Sequence, residues 1–312
     1  MFLLRLHIPC IFMLIFLYRA KWQHYQAIQI FSQTFNFDYY WQLEVDARFT
    51  GHTYHFLDRA IEFSRKQPRK YLWERNAYFY VRDSHGPWEH FMDSHGKAMM
   101  GKPSVWGPVP KEGVTPLGPK PPVARPEEDN FNWGVGEEAD FITFLPIFDP
   151  AQTIWVATEM MWNLPIETPR RTAVITMSRL SNTLLDTMHD AQVQRGWGLA
   201  SEMTASTFAL WHGLKAVHVP HPVYVDGHWT SHELARLMNV GPPEQINGTP
   251  ESWWNWNHLV DRIFYRISFL FTNQAAEDLF RRWMGYPVNP DEATDGQIVS
   301  ISHTLDIWSI TS

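Results

Sequence analysis

The sequence is poor in cysteine: Cys10 is the only one among 312 residues. One thiol cannot close an intramolecular disulfide, so a small disulfide-stapled scaffold is excluded and stability must come from a packed core. A zinc site built from cysteines is excluded for the same reason. Positive charge is also short, with 26 Lys and Arg against 33 Asp and Glu and a formal net charge of −7. A general nucleic-acid binder carries a clustered basic face, so no nucleic-acid partner is expected. Long apolar runs are missing with one exception, residues 2–18, and no second span follows it, which excludes a polytopic transporter. No GxSxG, Walker A, Rossmann or kinase pattern occurs, and no histidine pair has the HExxH spacing of a zinc hydrolase.

The apolar run itself reads FLLRLHIPCIFMLIFLY. Arg5, His7 and Pro9 interrupt its first half, and the clean stretch 8–18 is shorter than the roughly 20 residues that span a bilayer. Arg19 and Lys21 follow it. The run fits a signal anchor, a cleaved signal peptide without a clear small-residue cleavage site, a buried strand or helix, or an artefact of the gene model. As an anchor it would place the protein on a membrane of the secretory pathway, the Golgi, through a single span.

With 45% hydrophobic and 19% charged residues the chain suits a packed globular protein. Aromatic residues reach 15%, including 16 Trp, which suits binding of ringed ligands and equally an aromatic-heavy core. The spacing of Trp22, Tyr25, Ile28 and Phe31 predicts an amphipathic helix over 21–36. Residues 37–49, FDYYWQLEVDARF, read as a buried strand ending at acidic positions. A helix is expected over 53–66 with Phe56, Leu57, Ala60, Ile61 and Phe63 on one side, ended by Gln67-Pro68. Residues 96–126 are rich in Pro and Gly and read as a long loop, a linker or a lid rather than a packed element. Short strands are expected at 140–146 and 172–177. Ser178 should cap a helix running to about Gln194 and stopped by Gly196. A helix over 202–212, a strand over 214–219, a helical region over 264–284 and an irregular tail over 287–312 complete an α/β chain.

Three acidic groupings carry candidate chemistry. Glu44 and Asp46 are spaced i, i+2, which in a strand puts both carboxylates on one side. A hard divalent cation, Mn2+ or Mg2+, compensates such a pair and can hold a diphosphate; solvated carboxylates paired with Arg48 or Arg59 are the plainer reading. Glu137, Glu138 and Asp140 follow the turn Gly134-Val135-Gly136, where they could bind sugar hydroxyls, supply a base, or form an acidic loop. Glu202 opens a helix, as a general base or as a carboxylate favoured by the helix dipole. His212, His218, His221, His228, His232, His258 and His303 crowd the C-terminal third. Arg69, Lys70, Arg75, Arg170 and Arg171 could contact phosphate, or form a solvated face. Asn247-Gly248-Thr249 fits a glycosylation sequon weakened by Pro250. Trp253, Trp254 and Trp256 form a cluster able to stack on sugar rings.

The blocks FDYYWQLEVDARFTGHTY, KQPRKYLWER, VWGPVP, WGVGEEADFITFLPIFDP, ITMSRLSNTLLDTMH, ASEMTASTFALWHGLKAVHVPHPVY and FRRWMGY, in this order over residues 18–286, resemble a fungal family, domain of unknown function 3405. Its members are often labelled major facilitator superfamily transporters, a label the hydropathy does not support. Within it, YYWQLEVDARF is similar to the YYWRxExxVxF run of fungal Golgi mannosyltransferases. That resemblance implies a glycosyltransferase A-like mixed sheet flanked by helices over 19–286, with 1–18 as a separate apolar segment. It implies Glu44 and Asp46 as metal-site positions, Glu202 as acceptor base, Glu138 as a second acidic candidate, and His303 in SISHTLDIW as a late metal ligand. Arg69 and Arg75 would face the phosphates. That family fold places a longer nucleotide-binding half before its acidic motif, so much of that half is expected to be missing here. The expected activity is metal-dependent transfer of a sugar from a nucleotide-sugar donor to a glycan or glycoprotein acceptor. The alternative is a non-catalytic, truncated relative that binds glycans or associates with a membrane.

Overall fold

The computed structural model describes residues 24–44, 47, 49, 51–151, 153–174, 177–226, 228–250, 252, 274–288 and 296–299. The chain begins with α1 (Gln26–Thr34), β1 (Tyr39–Gln42), α2 (Thr53–Lys66), α3 (Leu72–Asn76), α4 (Arg82–His85) and α5 (Trp88–Met99). A 3-10 turn, Pro126–Glu128, precedes β2 (Phe141–Thr143), β3 (Ile147–Phe148), β4 (Met161–Trp162), β5 (Thr172–Ala173) and β6 (Ser178–Ser181). Then come α6 (Asn182–Arg195), β7 (Gly198–Leu199), α7 (Ser201–His212), β8 (Ala216–His218), β9 (Val223–Asp226), α8 (Ser231–Met238), α9 (Gln274–Met284) and β10 (Gly296–Val299).

The central sheet has the order β1-β6-β2-β8. β6 is antiparallel to both β1 and β2, and β2 is parallel to β8, so β1, β2 and β8 run the same way. Residues directly opposite across a ladder share a face. Tyr40, Leu180, Phe141 and Ala216 therefore line one face, and all four belong to the main core with Leu184, Leu185 and Met188 of α6 and Met203, Phe208 and Trp211 of α7. Ile142 and Val217 point the other way, into a second core with Phe56, Ala60 and Phe63 of α2. Trp41 stacks on Phe144 there, with ring centroids 5.9 Å apart. The result is a mixed α/β layer with a helix pair on one side and α2 on the other.

Local chemistry explains the element ends. The α2 span and its stop at Gln67 follow the sequence expectation. Ser181, not Ser178, caps α6: its Oγ accepts from Leu184 N at 3.1 Å, while Ser178 pairs in β6. Gly196 ends α6 in the left-handed conformation, φ 63°, which glycine adopts without a Cβ penalty. Several expectations are corrected. The strand over 37–49 is only β1, ending at Gln42 before Glu44. The strand over 140–146 shortens to β2, and β3 follows it in a different sheet. The tail contains β10, paired antiparallel with β9.

The Pro- and Gly-rich segment is packed rather than loose. Its first residues complete α5, and Val105, Val109 and Val114 lie against the main core. Val109 N donates to Leu210 O, and Leu117 N and Gly118 N both donate to His212 O. At Gly118 a Cβ would sit 1.9 Å from Gly213 O, so this approach of two backbones requires glycine. Trp197 holds the same segment from the side, with Lys111 Nζ 4.6 Å and Arg195 Cζ 4.9 Å from its ring.

Candidate functional site

Two polar regions flank the central sheet, one at each end of its parallel strands. At the amino edge, β2 and β8 enter from segments dense in charge. Arg69 forms a two-pronged pair with Glu137, Nε to Oε2 at 2.7 Å and Nη2 to Oε1 at 2.5 Å, and gives Nη1 to Gly213 O at 3.0 Å. Lys215 is fully buried, and its Nζ donates to Gly134 O at 2.6 Å and Glu137 O at 2.9 Å. Burial lowers its pKa to about 8, against the opposing pull of Glu137. Asp140 accepts from Lys215 N at 3.0 Å, and its carboxyl is pushed up by burial. Glu138 accepts from Arg179 at 2.8 Å and pairs with Arg65 of α2. Beside this edge lies a cavity of about 10 Å³ lined by Arg69, Trp73, Trp133 and Leu214, the room of one water molecule.

The carboxyl edge is different. Gln42, Thr143 and His218 end β1, β2 and β8, and Ser178 opens β6 beside them. The ladder puts Gln42 opposite Ser178, Ser178 opposite Thr143, and Thr143 opposite His218, so the four form one uncharged row on the α6–α7 face. Two oxygens of this row, Gln42 Oε1 and Thr143 Oγ1, are buried and have no hydrogen-bond partner among the described residues. Burial lowers the His218 pKa to about 3, with His221 adding to the effect, so both rings stay neutral near pH 7. Tyr25, buried just before α1, hydrogen-bonds Ser178. Burial raises its phenol pKa far above the usual range; the hydrogen bond opposes that rise, and the Glu202 and Glu44 carboxylates reinforce it. Glu44 lies two residues beyond β1 and Glu202 in the first turn of α7, so Tyr25 senses two of the acidic residues singled out by sequence. In open α/β sheets the carboxyl ends of parallel strands are where ligands bind.

The other expected residues are dispersed. Glu138 does not join Glu202: its partner Arg179 stands opposite Ile142 on the α2 face, so the sheet separates the two carboxylates. Arg69, expected to contact phosphate, gives its donors to Glu137 and Gly213. Arg75 is buried, gives Nη1 to Lys70 O at 2.6 Å and Nη2 to Pro68 O at 2.8 Å, and burial lowers its pKa to about 10. Lys70 donates to Asp129 O, Arg170 to Ile166 O, and Arg171 to Asp149 at 2.8 Å. Asn247 is fully buried and its Nδ2 donates to Ala77 O, so the side chain of this sequon is held inside the fold. Asp46, His303, His258 and the cluster Trp253, Trp254 and Trp256 lie outside the described residues.

Glu44 and Gln42 Oε1 are hard oxygen donors of the kind Mn2+ or Mg2+ takes. Among the described residues no group of three or more His, Cys, Asp or Glu could hold a metal ion. The row itself and Tyr25 were not legible as a site, because the register that assembles them joins segments far apart in sequence.

A family model described as a protein of unknown function, DUF3405, matches residues 14–301. No curated protein and no solved structure matches the chain.

Proposed function

We propose that this chain, which belongs to the family of proteins of unknown function DUF3405, transfers a sugar from a nucleotide-sugar donor to a glycan or glycoprotein acceptor at the carboxyl edge of its central sheet. One observation carries the reading: Glu44 and Glu202, far apart in sequence, both raise the pKa of the buried Tyr25 phenol, which hydrogen-bonds Ser178 at the edge where β1, β2 and β8 end. In this reading Glu44, with Asp46, would hold a divalent cation, which would supply charge neutralisation for a departing diphosphate. Glu202 takes the acceptor proton. The neutral row supplies hydrogen-bonding oxygens between them. The apolar residues 2–18 would tether the chain to a Golgi membrane; among the described residues no helix is long and apolar enough to cross one.

A second reading, glycan binding without transfer, is favoured by the arginines. Arg69 and Arg75, expected to grip phosphate, are committed to protein acceptors. Titration of the full chain with GDP- and UDP-sugars, with and without Mn2+, separates the two by melting temperature. A ligand at a hundred times its Kd stabilises the folded state by about 2.7 kcal/mol. The transfer reading expects a Mn2+-dependent rise that Glu44→Ala abolishes. A rise with glycans alone supports the second reading, and no rise with any nucleotide sugar in a folded sample rejects the first.

A further inference from the structure

Helix α1 packs Ile28 against the main core but turns its other large apolar side chains outward. Its buried residues are Gln29 and Ser32, and Gln29 Nε2 is buried with no hydrogen-bond partner among the described residues. The large apolar side chains face outward: Ile30 is 57% exposed and Phe31 45%, and the chain continues with Phe35 at 47% and Phe37 at 57%. These residues form one ridge. The rings of Phe31 and Phe35 lie 4.5 Å apart, and Tyr40 stands 6.0 Å from both Phe31 and Phe37. The Tyr40 hydroxyl fixes the ridge to β1 by accepting from Phe37 N at 3.0 Å and donating to Phe35 O. A rigid, contiguous, aromatic surface at the cost of a buried glutamine is a feature that water alone does not favour.

The sequence next to the ridge points to its occupant. Residues 2–18 are the one strongly apolar run, and their clean stretch has the length of an interfacial segment rather than a span. Arg19 and Lys21, between that run and α1, carry the charge that anionic headgroups attract. The seven residues 19–25 reach at most about 25 Å when extended, so the ridge stays within a bilayer's thickness of the run. Phenylalanine and isoleucine on one helix side, beside basic residues, is the chemistry of interfacial insertion, and two weak membrane contacts give stable anchoring where one does not.

We propose that the ridge of Ile30, Phe31, Phe35 and Phe37 is a lipid-contacting surface that lies in the membrane interface beside the apolar run. The proposal is independent of the glycosyl-transfer reading. The test uses the full chain with Cys10→Ser and Phe35→Cys, a nitroxide on the new thiol, and phosphatidylcholine vesicles containing phosphatidylserine. Vesicles should make the label accessible to oxygen and shield it from a water-soluble nickel chelate. Substituting Ile30→Ser, Phe31→Ser and Phe37→Ser together should lower vesicle partitioning at least tenfold, with far-ultraviolet circular dichroism unchanged. The proposal falls if the label stays open to the chelate on vesicle-bound protein, or if the chain does not bind vesicles. It falls equally if the label is already shielded without lipid, which would mean that the apolar run or a second copy covers the ridge. Unchanged partitioning of a folded triple variant also overturns it.

Discussion

Lys215 and His218 stand three residues apart at the two ends of one strand, in opposite surroundings. Around Lys215 each charge meets a partner: Arg69 with Glu137, Glu138 with Arg65 and Arg179, and the lysine itself with two loop carbonyls. Around His218 the row is uncharged, two of its oxygens lack partners among the described residues, and the Tyr25 phenol bonded to Ser178 of the row feels the carboxylates Glu44 and Glu202. Acidic residues are equally dense in the sequence at both ends, so density alone does not mark a site. A buried ion pair that satisfies itself is a structural device, whereas a buried oxygen without a partner has been kept for another reason.

The largest effect expected from this contrast is on acid stability. His218 at the carboxyl edge and His95 beside Arg75 are both buried, and burial lowers each pKa from 6.5 to about 3. The unfolded chain takes up these protons below pH 6.5 while the folded chain does not, so their contribution is present above pH 6.5 and is lost as the pH falls toward 3. At pH 5 each histidine should cost about 2 kcal/mol relative to neutral pH, about 4 kcal/mol together. His85 and His221, whose pKa values burial lowers to about 4, add losses of similar size; urea unfolding at pH 7 and pH 5 measures the sum, and His218→Gln should reduce the pH dependence by about a quarter whatever it does to absolute stability. An unchanged pH dependence would mean that His218 is open to solvent protons and that the carboxyl edge is not sealed.

Next in size is the amino edge. Arg69→Leu removes both prongs of the pair with Glu137 and leaves Gly213 O without its donor. Breaking a buried pair by deleting one partner should cost about 3 kcal/mol. Nucleotide-sugar binding measured on the same variant should be unchanged, because Arg69 is committed to the scaffold. A loss of binding with little loss of stability would move the phosphate contact back to this edge and blur the contrast.

How far the sequence reveals this arrangement depends on how local each signal is. α2 was legible because its apolar spacing and its Gln67-Pro68 stop lie within one stretch of chain, and Gly196 announced the end of α6 in the same way. β6 was missed because Ser178–Ser181 are buried on both faces and show no alternation, so the strand merged with the helix after it. The packing of the Pro-rich segment depends on backbone bonds to the end of α7, which composition cannot show. On α1, Tyr25 and Ile28 turn inward as their spacing suggests, but Phe31 does not, because Gln29 and Ser32 occupy the inner side. At the candidate site Glu44 and Glu202 were visible as acidic residues at element ends. Their meeting at Tyr25, and the row between them, exist only through ladder register.

The smallest expected effect is also the most discriminating. Thr143 is fully buried and its hydroxyl has no partner among the described residues. Thr143→Val swaps that hydroxyl for a methyl of nearly the same shape, removing the penalty of an unsatisfied group, so stability should rise by about 1 kcal/mol or stay level. At the amino edge the comparable deletion costs stability because its groups hold one another. At the carboxyl edge it should give some back, since an oxygen without a partner contributes nothing to folding. Urea midpoints of Thr143→Val and the parent chain decide the matter. A loss of 1 kcal/mol or more would show that the hydroxyl does hold the fold together, and the two ends of the sheet would then be structural in the same sense.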